Sequence, residues 1–93
     1  MTDLPEGLGD GFDSVLGLRY EEMSVDGGRA TLEITDKLLQ PWGIVHGGVY
    51  CAVGESVASM SGFLWLQDSG IGGTAVGVNN NTDFLRSVSS GVV

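Results

Sequence analysis

Metal ligands and covalent staples are nearly missing from this chain. Its 93 residues include a single cysteine, Cys51, and a single histidine, His46. One cysteine forms no intramolecular disulfide, and one Cys with one His falls short of a zinc ligand set, so no metal site is expected. Basic residues are scarce too, four against twelve acids, for a net charge of −8. Nine of the twelve acids fall within residues 1 to 36. Such a balance repels nucleic-acid phosphates and anionic lipid, and neither is expected as a partner. The N-terminal stretch MTDLPEGLGDGF lacks the basic and apolar blocks of a signal peptide, which makes the cytoplasm the expected compartment. From Gly47 to Leu66 the chain is long enough to span a bilayer. Glu55 and the interspersed serines and glycines make insertion costly, so no membrane association is expected.

What is present folds. Apolar residues make up 42% of the chain and charged ones 17%, too apolar and too weakly charged for a disordered segment. The length allows one domain, residues 1–93, with a core small enough that partners are expected to complete its burial. Residues 1 to 11 read as a loose lead-in. From Val15, the residues Leu16, Leu18 and Tyr20 alternate with Gly17, Arg19 and Glu21; after VDGG, the residues Ala30, Leu32 and Ile34 alternate in the same way. These are two strands with one wet face, joined as a hairpin by a glycine turn. Between Gly47 and Leu66 the apolar period lengthens to three and four residues through Val49, Val53, Val57, Met60 and Leu64, which predicts a helix buried on most sides. QDSGIGGT breaks it, and TAVGVNNNTDFL reads as a third strand despite Asn79, Asn80 and Asn81, which are poor strand formers. Strand, strand, helix, strand is an α+β order in which an antiparallel sheet packs on one central helix. Three strands cover such a helix thinly, and the apolar end RSVSSGVV reads as unfinished. Trp42 and Trp65 read as core or interface anchors.

The chemistry concentrates between residues 40 and 59. Gly47 and Gly48 open the long helix, where the first backbone N–H groups have no intrahelical partner and the helix dipole favours negative charge. Glycines leave those donors uncovered, so a ligand oxygen can approach them as in an oxyanion hole. A tight turn needing glycine would give the same letters. Glu55 is the one charge in a long apolar run and shares its helix face with Cys51, Ser59 and Gly62, a stripe of small residues that lets another element come close. Gly47 and Glu55 lie eight residues apart, about 12 Å along a helix, too far for Glu55 to attack a carbonyl held on its own Gly47. If both serve one substrate, they come from two chains across a two-fold axis. A Cys51–His46 nucleophile would have to meet from consecutive turns, and GESVA places Ser56 inside a helix instead of on a strand-to-helix elbow. GIGG is followed by no helix and is no dinucleotide fingerprint.

QPWGIVHGGVYCAVGES resembles the active-site segment of hotdog-fold acyl-CoA thioesterases, in the branch of 4-hydroxybenzoyl-CoA and 1,4-dihydroxy-2-naphthoyl-CoA thioesterases and phenylacetic-acid-degradation-related proteins. The spacing that carries the resemblance is Gln40, six residues to His46-Gly47-Gly48, nine from His46 to Glu55, and Ser59 one turn on. The resemblance implies an α+β hotdog fold, here C-terminally truncated by two strands. It implies hydrolysis of a small aromatic or medium-chain acyl-CoA without a cofactor, in a homodimer or a homotetramer built as a dimer of dimers. The Gly47 amide would polarise the thioester carbonyl, and Glu55 of the facing subunit would act as nucleophile or general base. Gln40 and His46 would orient substrate or water, and Ser59 would touch the acyl group. Gly48 would assist at the carbonyl, and Asn81, Arg86, Ser87 and Ser89 would hold the CoA arm, with Arg86 near a phosphate. Val49, Tyr50 and Phe63 would contribute to the pocket wall. A non-catalytic acyl-CoA-binding or oligomerising module of the same fold, or an inactive fragment, are the competing readings.

Overall fold

The computed structural model describes residues 9–83 and 85–93. Most of the expected lead-in and Phe84 of the expected third strand lie outside the described residues. The elements run α1 (Phe12–Leu16), β1 (Leu18–Ser24), β2 (Gly27–Leu32), a short 3-10 turn (Asp36–Leu38) and α2 (Gly47–Asp68).

The hairpin is present, but its first strand begins later than the alternation suggests. Val15 and Leu16 belong to α1, which ends at Gly17 in the left-handed conformation (φ 82°) with the Gly17 N–H donating to the carbonyls of Asp13 and Ser14. Only glycine takes that conformation without strain, and it lets the chain turn from helix directly into strand. β1 and β2 then pair antiparallel from Leu18–Leu32 to Ser24–Gly27, with Glu21 as an extra residue between the Tyr20 and Glu22 pairs. That bulge shifts the phase of the strand. Leu18 and Tyr20 face inward before it and Met23, 1% exposed, faces inward after it.

α2 forms where the three- and four-residue period predicts it. His46 caps its N-terminus, with Nδ1 accepting from the Gly48 N–H. Its apolar side divides between two clusters. Val49 joins Leu16, Leu18, Leu32, Ile34, Leu38 and Val45; Met60 and Leu64 join Met23. Full burial of such side chains is worth about 1.5–3 kcal/mol each. The helix is not buried on most sides as expected. Only Val49, Met60 and Leu64 are fully buried, because its cover is a two-stranded sheet and one extended segment. By length and composition α2 would also suffice to cross a membrane. Neither tryptophan anchors the core: Trp42 sits at the tip of a turn, 84% exposed, and Trp65 is half exposed on the uncovered side of α2.

The expected third strand forms no ladder among the described residues. It is nonetheless extended. Ala75 lies against Gly62, the Gly77 N–H donates to Glu55, and the Asn80 side chain donates to the carbonyl of Cys51. From Gly62 back to Cys51 the helix rises about 16 Å, and from Ala75 to Asn80 an extended chain covers about the same. The segment therefore runs antiparallel down α2, one strand residue for about two helix residues. It lies along the stripe of small residues that the sequence marked for close approach. Further on, Val45 donates its N–H to Val88, and Leu32 and Val93 exchange backbone hydrogen bonds, so Val92 and Val93 sit at the open edge of β2.

Candidate active site

Residues 38 to 46 fold back on themselves and deliver Gln40 to the start of α2. The His46 N–H donates to Leu38, the Gln40 N–H to Ile44 and the Gly43 N–H to Gln40. Proline at 41 suits the second position of this turn. The Gln40 side-chain oxygen accepts from the Trp42 N–H at 2.7 Å, which fixes the amide and leaves its NH2 group as donor. A cleft of about 320 Å³ opens here, lined by Gln40, Gly47, Tyr50, Arg86 and Ser87 among others. Gln40, Gly47, Arg86 and Ser87, all expected at the site, thus share one cleft with Tyr50, expected in the pocket wall. Arg86 is exposed and makes no ion pair among the described residues, so its guanidinium is available to an anion at the rim.

The two glycine amides differ. Gly48 donates to His46 Nδ1 at 2.8 Å, and is thereby engaged. Gly47, the first residue of the helix, has no acceptor among the described residues. Of the pair, only Gly47 keeps a donor for a ligand oxygen, reinforced by the positive end of a 22-residue helix. The hydrogen bond also fixes the neutral His46 ring with its proton on Nε2. His46 and Gly48 do not line the Gln40 cleft. They line a neighbouring apolar cavity of about 420 Å³ with Phe12, Leu38 and Val49, since a side chain that caps its own helix turns away from the turn at 40–43.

Glu55 lies two turns further along α2. Its Oε1 accepts from the Ser59 hydroxyl at 3.0 Å and from the Gly77 N–H at 3.2 Å. A Cβ on Gly77 would stand 2.6 Å from Glu55 Oε1 and 3.0 Å from its Cγ, so a larger residue there would displace the Glu55 side chain from its present position. Two cavities flank this carboxylate. One, about 330 Å³, is lined by Glu55, Ser59 and Asn81. The other, about 350 Å³, is lined by Glu55, Ser59, Phe63 and three residues not expected at the site, Asp13, Tyr20 and Ser56. Tyr20 donates to Asp13 Oδ2 at 2.7 Å and Ser56 to Asp13 Oδ1 at 2.6 Å. Burial, then the Asp13 carboxylate, pushes the Tyr20 phenol well above its ordinary value, so it stays protonated. Ser89 lies exposed outside these cavities, and Val49, Tyr50 and Phe63 line three different ones. Among the described residues no group of three His, Cys, Asp or Glu side chains could hold a metal ion.

Residues 43–93 match the family model described as "Thioesterase superfamily". The chain is 62% identical over 82 residues to a candidate esterase, Rv1847 of Mycobacterium tuberculosis, covering 88% of this chain and 59% of that protein. It is 35% identical over 78 residues to the proofreading thioesterase EntH of Cronobacter turicensis, covering 84% of this chain and 55% of EntH. The solved structure of Rv1847 superposes with a TM-score of 0.82 at 60% identity, covering 87% of this chain and 64% of that one. The thioesterase HI1161 of Haemophilus influenzae superposes with a TM-score of 0.80 at 32% identity, covering 99% of this chain and 65% of that one. The chain thus spans somewhat over half the length of these relatives, and its long helix with antiparallel strands is the α+β hotdog fold.

Proposed function

Because this chain belongs to the thioesterase superfamily, we propose that it hydrolyses acyl-CoA thioesters at a site assembled from two copies of itself. The observation that carries this reading is a division of labour along α2. An unpaired Gly47 amide faces a cleft with Gln40 and Arg86. The carboxylate of Glu55, held by Ser59 and Gly77, belongs to separate cavities.

Eight residues of helix separate the two groups by about 12 Å, whereas reacting atoms must close to about 3–3.5 Å. Each chain therefore supplies half of a site. In a two-fold dimer with antiparallel α2 helices, Gly47 of one copy meets Glu55 of the other. The thioester oxygen accepts from the Gly47 N–H, where negative charge develops as the carbonyl becomes tetrahedral. Glu55 either attacks the carbonyl carbon itself, forming an anhydride that water opens, or takes a proton from the attacking water. In both cases the C–S bond breaks, CoA leaves as thiol and the acyl group as carboxylate. The Gln40 NH2 donors orient substrate or water, and Arg86 with Ser87 engages the CoA arm.

A panel of aromatic and aliphatic CoA thioesters tests the reading, with thiol release as readout. Turnover that falls by about 10² or more in Glu55→Ala while a thioether analogue still binds supports it. Binding without turnover in the unsubstituted protein refutes it and marks a non-catalytic acyl-CoA-binding module.

A further inference from the structure

We infer that Asp13 is a positioning residue for the reaction at Glu55: its carboxylate ties α1, β1 and α2 together at one point and sets the direction in which Glu55 leaves the long helix. The inference rests on the thioesterase reading for the reaction itself, and on the packing of α2 for the need of such a tie.

Apolar packing grips α2 at its two ends. Val49 is buried in one cluster, Met60 and Leu64 in the other, and no side chain from residue 50 to residue 59 is fully buried. That stretch holds Ala52, Gly54, Ser56 and Ala58, too small to lock the helix against rotation, and a glycine inside a helix loosens its backbone. Glu55 stands in the middle of it. Ser56, the next residue, donates to Asp13 Oδ1 at 2.6 Å, and Tyr20 donates to Asp13 Oδ2 at 2.7 Å. Hydrogen bonds of this length to a carboxylate are roughly twice as strong as neutral ones. The far side of the tie is firm. Tyr20 packs against both apolar clusters and, with burial and Asp13 holding its proton, remains a donor. α1 buries only Leu16, three residues after Asp13 and on the same side of the turn, so its one buried side chain fixes where Asp13 stands. Side-chain tips lie about 6 Å from a helix axis. Releasing Ser56 and letting α2 turn by about 10° would therefore move the Glu55 carboxylate by about 1 Å, a misplacement that can cost about 10²-fold in rate.

The test reads kcat and KM for one CoA thioester, together with the amide spectrum of nitrogen-15-labelled protein, in which the Gly77 N–H reports on Glu55 because it donates to it. Asp13→Ala and Ser56→Ala should each lower kcat on the order of tenfold or more with KM within about twofold. The double variant should lose no more than the worse single one, since both cut one tie. The Gly77 amide signal should move in each, and Ser56→Thr, which keeps the hydroxyl, should restore both rate and signal. Ser56→Ala favours the helix, so it carries the test where Asp13→Ala unfolds. A tie that only stabilises would lower Tm and leave kcat per folded molecule unchanged. That result, losses that multiply in the double variant, or a Gly77 signal that stays in place overturns the inference and leaves the hydrolase reading standing. If the parent chain releases no thiol from any thioester, the hydrolase reading fails and the Gly77 signal still decides the tie: movement that Ser56→Thr reverses upholds it, and a fixed signal overturns it.

Discussion

Replacing Gly47 by proline removes one atom of interest, the amide hydrogen, and little else. Gly47 is the first residue of α2, the helical position that proline favours. The residue before a proline must be extended, and His46 already is, at φ −63° and ψ 130°. The lost N–H has no acceptor among the described residues, so no hydrogen bond of the fold is broken. Stability should therefore change by no more than about 1 kcal/mol in either direction. Catalysis should change far more, because one oxyanion donor is worth about 2.7–4 kcal/mol, or 10²–10³ in kcat. Thiol release from a CoA thioester gives the rate, and far-UV circular dichroism with a thermal melt gives the fold. Gly47→Ala, which keeps the N–H and adds a methyl group, separates loss of the donor from loss of room. A Gly47→Pro protein that melts normally and turns over within about threefold of the parent would refute the role of this amide.

Other consequences are cheaper to check. Gly77→Ala drives a methyl group into the Glu55 carboxylate and should lower kcat by tenfold or more with little loss of helix by circular dichroism. Leu32→Ala, at a side chain only 1% exposed, should cost about 2–5 kcal/mol and lower Tm by roughly 10 °C or more; a smaller shift would mean that the hairpin is not what α2 packs on. Because Tyr20 holds its proton more tightly when folded, the folded state binds more protons than the unfolded one above the ordinary phenol value of about 10. Stability should therefore decline as pH rises past that value, and Tyr20→Phe should flatten the decline in alkaline melts.

The parts legible in the sequence are those set by local pattern. The three- and four-residue period of Val49, Val53, Val57, Met60 and Leu64 is a property of one segment, and α2 follows it. The alternation through Leu18 and Tyr20, with the turn before Arg29, likewise yields the hairpin. Two-residue alternation continues through Val15 and Leu16 although they close α1, and only Gly17 signals that a helical turn ends there. The segment from Thr74 is extended, as its apolar alternation implies, but a ladder also needs a neighbouring edge, which no local pattern records. At the site, Gly47 and Glu55 stand out because glycine and charge are conspicuous in an apolar run. The Asp13, Tyr20 and Ser56 cluster does not stand out: Asp13 meets Ser56 across 43 residues, and nothing near either one marks the pairing. The direction of His46 was equally hidden, since it depends on whether Nδ1 caps its own helix.

The shared site is tested most directly by mixing two dead proteins. Equal amounts of Gly47→Pro and Glu55→Ala chains, unfolded together and refolded, should pair at random, so that half the dimers are mixed and each mixed dimer owns one intact site of two. Activity should return to about a quarter of the parent value. If the mixture stays as inactive as its components, although cross-linking shows mixed dimers, Gly47 and Glu55 do not act together across two chains.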